Sequence, residues 1–581
     1  MLDLKIVGGT IVDGSGGTPF AGSVGIKGDR IVAIGEVEEQ AAQVIDATGK
    51  IVAPGFIDVH THYDAQAFWD PTLSPSCFHG VTTILGGFCG FSIAPLSPES
   101  GAYLLPMLAR VEGMPADTLR AGVPWDWRSF GEFLSRLDGR LLLNAGFFVG
   151  HSAVRRLVMG ERANTSEATP EELEAMRALV DQSLAEGALG FSTTVSPSHN
   201  DADGNPVPSR FATRDEILTL GSAVRAHEGT SLELLPNLIN FDQDQIDLLV
   251  DYSLAGGRPV NWNLLSVYEG DEADRERIEA HLEASRVAKE RGAEVLALTP
   301  ANPPTIRINF VSGFLFDSLP GWAPLFKLSL DERLAKLRDP FVRATLETAA
   351  LAGMGMQSNF ARWSNYVVVE TFAPENKRFE GRHIGDIAEE VGKPPFDMMM
   401  DIVVADKLRT SLMMEASGEH AQAYKLRAEL WQSDMTVVGA SDAGAHMDMI
   451  DTFAFSTLLL QNSREYGVMA LPEAVRQLTS VPAYAMGIKD RGALAVGKFA
   501  DVVIFDGDTV ARGPVYTLYD LPGTESEGRL YADAIGIDCV IVNGRVAVRD
   551  GAISEERPGT IFRSGRDTVT RAIPAALEAA A

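Results

Sequence analysis

Val52-Ala-Pro-Gly-Phe-Ile-Asp-Val-His-Thr-His62 decides the reading of this chain: an apolar run that ends in two histidines separated by one residue. Side chains alternate along a strand, so His60 and His62 point to the same side and can share one metal ion. A coincidental solvent-facing pair is the competing reading, but the end of an apolar strand is where barrel enzymes carry their chemistry.

Further apolar runs follow at residues 81–90, 141–151, 188–194, 230–236, 259–266, 294–300 and 436–442, separated by amphipathic stretches. Together with 51–62 they make eight parallel strands with crossover helices, which predicts an α/β fold, a (β/α)8 TIM barrel. Helix punctuation supports the spacing. Thr169 and Thr213 each stand three residues before a glutamate, as a capping box requires. Gly187, Gly229 and Gly292 each precede a predicted strand, where a left-handed helix terminus would sit. About 135 residues separate the seventh run from the eighth, too many for a simple connection. This interval, about 301–435, reads as one barrel helix preceded by an insertion over the mouth, with residues 330–351 and 381–404 helical.

At the two chain ends the texture is different. Short β-branched runs such as Lys5-Ile-Val, Thr10-Ile-Val and Cys539-Val-Ile-Val alternate with Gly and Asp turns, which predicts a small β-sandwich composed of both ends. The expected division is residues 1–55 and 489–581 for that domain, the latter including a tail, and 56–488 for the barrel.

Composition narrows the function classes. Fifty basic against 79 acidic side chains give a charge of −29, which opposes binding to nucleic acid or anionic membranes. Three scattered cysteines do not make a disulfide framework, and the amino terminus lacks a signal-peptide pattern, so a cytoplasmic enzyme acting on a small molecule is expected; homo-oligomerisation stays open.

Two more residues qualify for the metal site. Cys89 lies between glycines at the end of the second run, and its thiolate can bind zinc; a buried inert thiol is the alternative. Asp442, at the end of the eighth run, can touch the ion and carry a proton between water and a leaving amine, although Ser441-Asp-Ala-Gly444 also suits a turn. His151, at the end of the third run, and His446 are candidate substrate contacts. Trp262, Tyr268, Phe310, Phe314, Phe316 and Trp322 are candidates for an apolar or aromatic pocket, and Arg307, Arg343 and Arg362 for an anion contact; ordinary packing and surface pairing are the alternatives.

Pro54-Gly-Phe-Ile-Asp-Val-His-Thr-His-Tyr-Asp64, Gly87-Phe-Cys-Gly-Phe-Ser-Ile-Ala-Pro95, Gly150-His-Ser-Ala-Val-Arg155, Gly187-Ala-Leu-Gly-Phe-Ser-Thr193, Ser441-Asp442 and Gly497-Lys-Phe-Ala-Asp-Val-Val-Ile-Phe-Asp506, in this order, resemble the amidohydrolase superfamily, close to its D-aminoacylase or N-acyl-D-amino-acid deacylase group. The resemblance spans nearly the whole chain. It implies a barrel with a two-ended β-sandwich, zinc as the usual ion, a bridging cysteine at Cys89 and a catalytic carboxylate at Asp442.

The chain departs from that pattern where the group carries metal-binding histidines at the ends of strands five and six. By register Glu233 and Asn263 stand there, as candidate second-metal or substrate contacts, and a salt-bridged barrel residue is the plainer reading of Glu233. Loss of two imidazoles predicts one divalent ion, most naturally zinc, on His60, His62 and Asp442 with Cys89. The group's substrate-binding lysine is also replaced, by Leu264-Leu265. The expectation is a metal-dependent amidohydrolase that cleaves an amide C–N bond, N-acyl-amino-acid deacylase-like, through a metal-activated water with Asp442 as general base and acid. A non-hydrolytic lyase on the same metal cup and a binding protein with a decayed site are the competing readings.

Overall fold

Residues 51–62 do not form one strand. The run breaks at Gly55: Ile51–Pro54 joins a sheet made from both chain ends, and Phe56–Asp58 opens a parallel sheet. A Cβ at Gly55 would lie 2.2 Å from Thr82, so the step between the two sheets requires glycine. The computed structural model describes residues 1–580 apart from 304, 354–355 and 415–417.

Phe56–Asp58, Val81–Gly86 and Asn144–Phe147 pair in parallel. One residue further on, Val149–Gly150 continues into Gly190–Thr194, Ser231–Leu235, Val260–Trp262, Val295–Thr299 and Thr436–Val438, all parallel neighbours. A parallel bridge between Thr61 and Ala443 links the first strand to the last. Among the described residues, eight parallel strands thus succeed one another around a ring with helices between them, an α/β architecture. Ile57, Leu85, Leu298 and Val437, each from a different ring strand, share one buried cluster with Phe562 from the carboxyl-terminal tail.

That tail runs along the end of the ring where the strands begin. Phe562 N donates to Ala145 O at 2.7 Å, Ser564 N to Gly187 O at 3.3 Å and Ala575 N to Gly292 O at 2.9 Å, while Thr568 Oγ1 donates to Gly229 O at 2.6 Å. Gly187, Gly229 and Gly292 have φ of +117°, +69° and +75°, the left-handed values expected at these helix ends. Thr169 forms the complete capping box. Thr213 forms only half of one: its hydroxyl accepts from Glu216 N, but the Glu216 carboxylate is turned inward to Arg155 and His151.

The chain ends build a nine-stranded sheet in which Ile51–Pro54 pairs antiparallel with Val502–Phe505, and Ala511–Leu518 and Arg529–Ile535 form a separate antiparallel pair. The two short runs expected around Gly8-Gly9 are one strand, Leu2–Ile11, with a register shift between Ile6 and Gly9.

The interval before the eighth strand ends in the helix Ala421–Trp431 and otherwise forms a cap with its own core, including Phe310, Phe316, Trp322, Trp363 and Phe396. Arg307–Ile308, Ser411–Met414 and Tyr366–Glu370 make a small antiparallel sheet there. The helical stretches expected at 330–351 and 381–404 are each two helices, because Pro340 and the Pro394-Pro395 pair lack the N–H that a continuous helix needs. Among the described residues no helix is long and apolar enough to cross a membrane. Cys77, Cys89 and Cys539 are buried and unpaired in disulfides.

Candidate metal centre

Beyond Asp58 the first ring strand ends and the chain crosses toward the eighth. His62 N donates to Ala443 O at 2.8 Å and Asp442 N to His60 O at 3.2 Å, which stitches the two strand ends together. Asp58 assists from below, accepting Ser441 Oγ at 2.5 Å. His60 stacks on Phe88, with ring centroids 4.5 Å apart.

The result is a compact donor cluster. Nε2 of His60 lies 3.3 Å from Asp442 Oδ1, and Nε2 of His62 lies 3.5 Å from the same oxygen. Cys89 Sγ is 3.6 Å from His60 Nε2. One ligand atom each from His60, His62 and Cys89 falls within 4.8 Å of the others, close enough for all three to face one ion. Both histidines and Cys89 are buried, whereas the Asp442 side chain retains 36% exposure and faces open space. Cys89 and Asp442 have φ of +57° and +52°, a left-handed backbone that side chains rarely adopt, so both are held by their surroundings.

Charge balance tests whether a cation fits. Burial pushes the Asp58 and Glu112 carboxyls up to about 7, Asp64 up to about 6 and Glu233 well above the carboxylate range. What opposes burial at these groups is His62 and hydrogen bonds. Burial also disfavours charge on His62, but Glu112 and Asp442 outweigh it and raise its pKa to about 9. Burial lowers the pKa of His60. The crowded protein surroundings also disfavour charge on Asp442, although its side chain keeps one exposed face, yet the two imidazoles overcome this and hold the carboxyl well below its ordinary value. The cluster is rich in acid, a charge balance that a metal cation would complete.

Glu233 and Asn263 both contact Cys89. Glu233 Oε2 accepts from Cys89 N at 3.1 Å, and Asn263 Nδ2 donates to Cys89 Sγ at 3.5 Å. Glu233 makes no salt bridge to a Lys or Arg among the described residues, contrary to the plainer expectation for it. His446, at φ +45°, packs tilted against Phe314, ring centroids 4.9 Å apart, and forms a wall of the site.

His151 is displaced from its expected role. It is fully buried with both ring nitrogens engaged, Nδ1 with Thr193 Oγ1 and Nε2 with Glu216 Oε1, each at 2.9 Å, so it offers nothing to a substrate. A strand-end position does not by itself fix the side on which a side chain emerges, and here the chain turns into a helix at this residue. Trp262 points away from the centre, against Phe241 and His281. Phe310, Phe316 and Trp322 fill the cap's core, and Tyr268 is 53% exposed. Arg307 donates to Val515 O and Arg343 to Asp401, both away from the cluster, and Arg362 is at the surface.

Phe314 does reach the site. It helps line a cleft of about 600 Å³ with Arg110, Gly113, Met114, Lys327 and Glu527. A Cβ at Gly113 would lie 3.0 Å from His446 Nδ1, so the cleft adjoins the histidine wall. Arg110 is paired with Asp317 at 3.1 Å on the cleft's rim.

Two residues escaped sequence reasoning. Glu112, at the end of the helix Pro98–Val111, places Oε2 3.5 Å from His62 Nδ1. No motif or spacing marks it. His199 packs tilted against Phe91, ring centroids 5.0 Å apart; burial, then the charges of His62 and His446, push its pKa down to about 3. Its position just past the fourth ring strand, on the mouth side, was the available signal.

Comparison with known proteins follows the same line. The sequence profile described as "Amidohydrolase family" matches residues 43–548. D-aminoacylase of Alcaligenes xylosoxydans xylosoxydans is 27% identical over 96% of this chain and 97% of its own length. An uncharacterized protein of Mycobacterium tuberculosis (strain ATCC 25618 / H37Rv) is 30% identical over 87% of this chain and 84% of its own. The crystal structure of N-acyl-D-glutamate deacylase from Bordetella bronchiseptica, complexed with zinc and a phosphonate inhibitor, superposes with a TM-score of 0.64 at 23% identity, covering 97% of this chain and 99% of that one. This last likeness speaks for the fold.

Proposed function

The chain belongs to the amidohydrolase family, and from that premise we propose that it hydrolyses the amide C–N bond of a small acylated amine, an N-acyl amino acid in the first instance, with one bound divalent cation and with Asp442 as proton carrier. The observation that carries the reading is the meeting of His60, His62 and Asp442 around one carboxylate oxygen, with Cys89 beside them. We read the ring of strands as a (β/α)8 barrel, residues 56–488, with residues 1–55 and 489–581 supplying the two-ended sheet as a second domain and a tail that returns to the base of the ring, in a cytoplasmic protein.

His60, His62, Cys89 and Asp442 would hold the ion, and imidazole with thiolate suits zinc. Such an ion supplies a Lewis acid for the substrate carbonyl and makes water more acidic. One ion is proposed because Glu233 and Asn263 present no nitrogen donor where two more imidazoles would be needed. Asp442, the cluster's solvent-facing carboxylate, accepts the proton of the attacking water as the new C–O bond forms. It returns that proton to the nitrogen as the C–N bond breaks, leaving a carboxylic acid and a free amine. Glu112 holds His62 in the tautomer that turns Nε2 inward. The cleft beside His446 takes the part of the substrate beyond the reacting bond, with Phe314 as its apolar surface.

The test is a panel of N-acyl amino acids, aryl amides and cyclic amides, incubated with protein whose metal content is measured. A chelator should abolish amine release and added zinc restore it, with one solvent oxygen entering the acid. Turnover indifferent to complete metal removal, or a product without solvent oxygen, would overturn the proposal.

A further inference from the structure

Cys89 belongs to the loop Gly87-Phe-Cys-Gly-Phe-Ser92, whose backbone is fastened by side chains from several separate segments. Asp64 Oδ2 accepts from Gly87 N at 3.0 Å. Ser192 Oγ donates to Gly87 O at 2.6 Å and accepts from Gly90 N at 3.2 Å. Glu233, the register partner of Ser192 on the next strand, accepts from Cys89 N at 3.1 Å. From the strand after that, Asn263 reaches the sulfur itself. The loop has no slack: a Cβ at Gly87 would lie 2.2 Å from Phe148 O, and one at Gly90 3.1 Å from Thr193 Cα.

A left-handed backbone at a residue with a side chain persists only where neighbours over-determine it. Asp64 and Ser192 pin Gly87 and Gly90 on either side of the Phe88-Cys89 pair, and the N–H of Cys89 itself is held by one carboxylate, that of Glu233. Glu233 is fully buried and Asn263 nearly so; Glu233 lies within one ring strand and Asn263 directly follows the end of the next. Resting on the metal-centre reading above, we propose that Glu233 and Asn263 are positioning residues for Cys89, Glu233 fixing its backbone and Asn263 its sulfur, and that neither is itself a ligand of the ion. The polar side chains standing where two imidazoles would be needed therefore act through the cysteine.

The test uses the full-length protein with Cys77→Ala and Cys539→Ala, so that Cys89 is the single thiol, and reads two signals. In metal-free protein, Glu233→Ala should raise the rate at which Cys89 reacts with an aromatic disulfide reagent by about tenfold, as the loop opens locally, while Glu233→Gln stays near the parent rate because its amide oxygen still accepts the Cys89 N–H. In cobalt-loaded protein, Glu233→Ala and Asn263→Ala should weaken the thiolate-to-cobalt charge-transfer band, and Glu233→Gln should retain it. Asn263→Ala, which leaves the backbone clamp untouched, keeps the test open should Glu233→Ala fail to fold. Unchanged thiol reactivity and an unchanged band in both alanine variants would overturn the proposal. So would a Glu233→Gln protein that loses cobalt as completely as Glu233→Ala, since that outcome makes the carboxylate a ligand. A parent protein that takes up no cobalt would count against the metal-centre reading alone, and the thiol rates would still decide the clamp.

Discussion

Glu112 Oε2 and His62 Nδ1 lie 3.5 Å apart, while the opposite nitrogen of the same ring lies 3.5 Å from Asp442. The imidazole is therefore gripped on one edge and presented on the other, an arrangement that fixes tautomer and orientation. Removing such a carboxylate partner typically costs about 10–100-fold in metal affinity. Glu112→Ala should lower zinc affinity by about that factor with the fold retained, measured by competition with a chelating dye. Wild-type affinity in this variant would show that the helix end is a passive neighbour.

Asp442 is a favourable position for an isosteric probe. Its φ of +52° is one that asparagine tolerates at least as well as aspartate, so Asp442→Asn removes the charge without straining the turn. Turnover should fall by about 10²–10⁴-fold, with unchanged circular dichroism. A rate near that of the parent would move proton transfer to another group.

His79 is buried away from the cluster and bonded to Thr457 Oγ1 and Ala532 O, and burial lowers its pKa from 6.5 to about 4. Between those two pH values the unfolded chain binds a proton that the folded protein refuses. Its contribution to stability is therefore intact above pH 6.5 and is lost progressively as the pH falls to about 4. The loss amounts to about 3 kcal/mol. Denaturant titrations across this range should show a shallower pH dependence for His79→Gln than for the parent; parallel curves would contradict the assignment.

Phe562 is fully buried among side chains of the ring's interior. Truncating an aromatic ring in such a place costs about 3–5 kcal/mol, part transfer and part cavity. Phe562→Ala should lower the unfolding midpoint accordingly while leaving zinc affinity unchanged, because the tail and the metal cluster lie at opposite ends of the strands. A loss of zinc binding at preserved stability would contradict that separation.

How far the sequence could be read depended on whether the signal was local. Alternation along one strand predicts that His60 and His62 share a side; both lie past the strand end at Asp58, and their Nε2 atoms meet at Asp442, while the left-handed Gly187, Gly229 and Gly292 followed from their places between helix and strand. The break at Gly55 was hidden because Ile51–Pro54 and Phe56–Asp58 are equally apolar, and only a partner strand 450-odd positions away separates them. Glu112 was invisible for a related reason: a lone glutamate at a helix end resembles any surface acid until His62 is brought beside it. His151 was misjudged because its partners, Thr193 and Glu216, come from other elements, and Glu216 itself had been assigned to a cap. Of the aromatics, Phe314 alone turns from the cap's core toward the site, a choice made by cap packing that composition does not encode.

The seam between Ile51–Pro54 and Val502–Phe505 also sets an order of events during synthesis. Lys50 and Asp506, ion-paired across it at 3.4 Å, are 456 positions apart. A ribosome adding about 5–20 residues per second needs tens of seconds to cover that distance. Throughout that time the amino-terminal strands present an open edge, blunted only where Pro54 cannot donate a hydrogen bond. Nascent chains halted before the downstream strand emerges should thus be the species most prone to self-association, and the ones that depend most on chaperones.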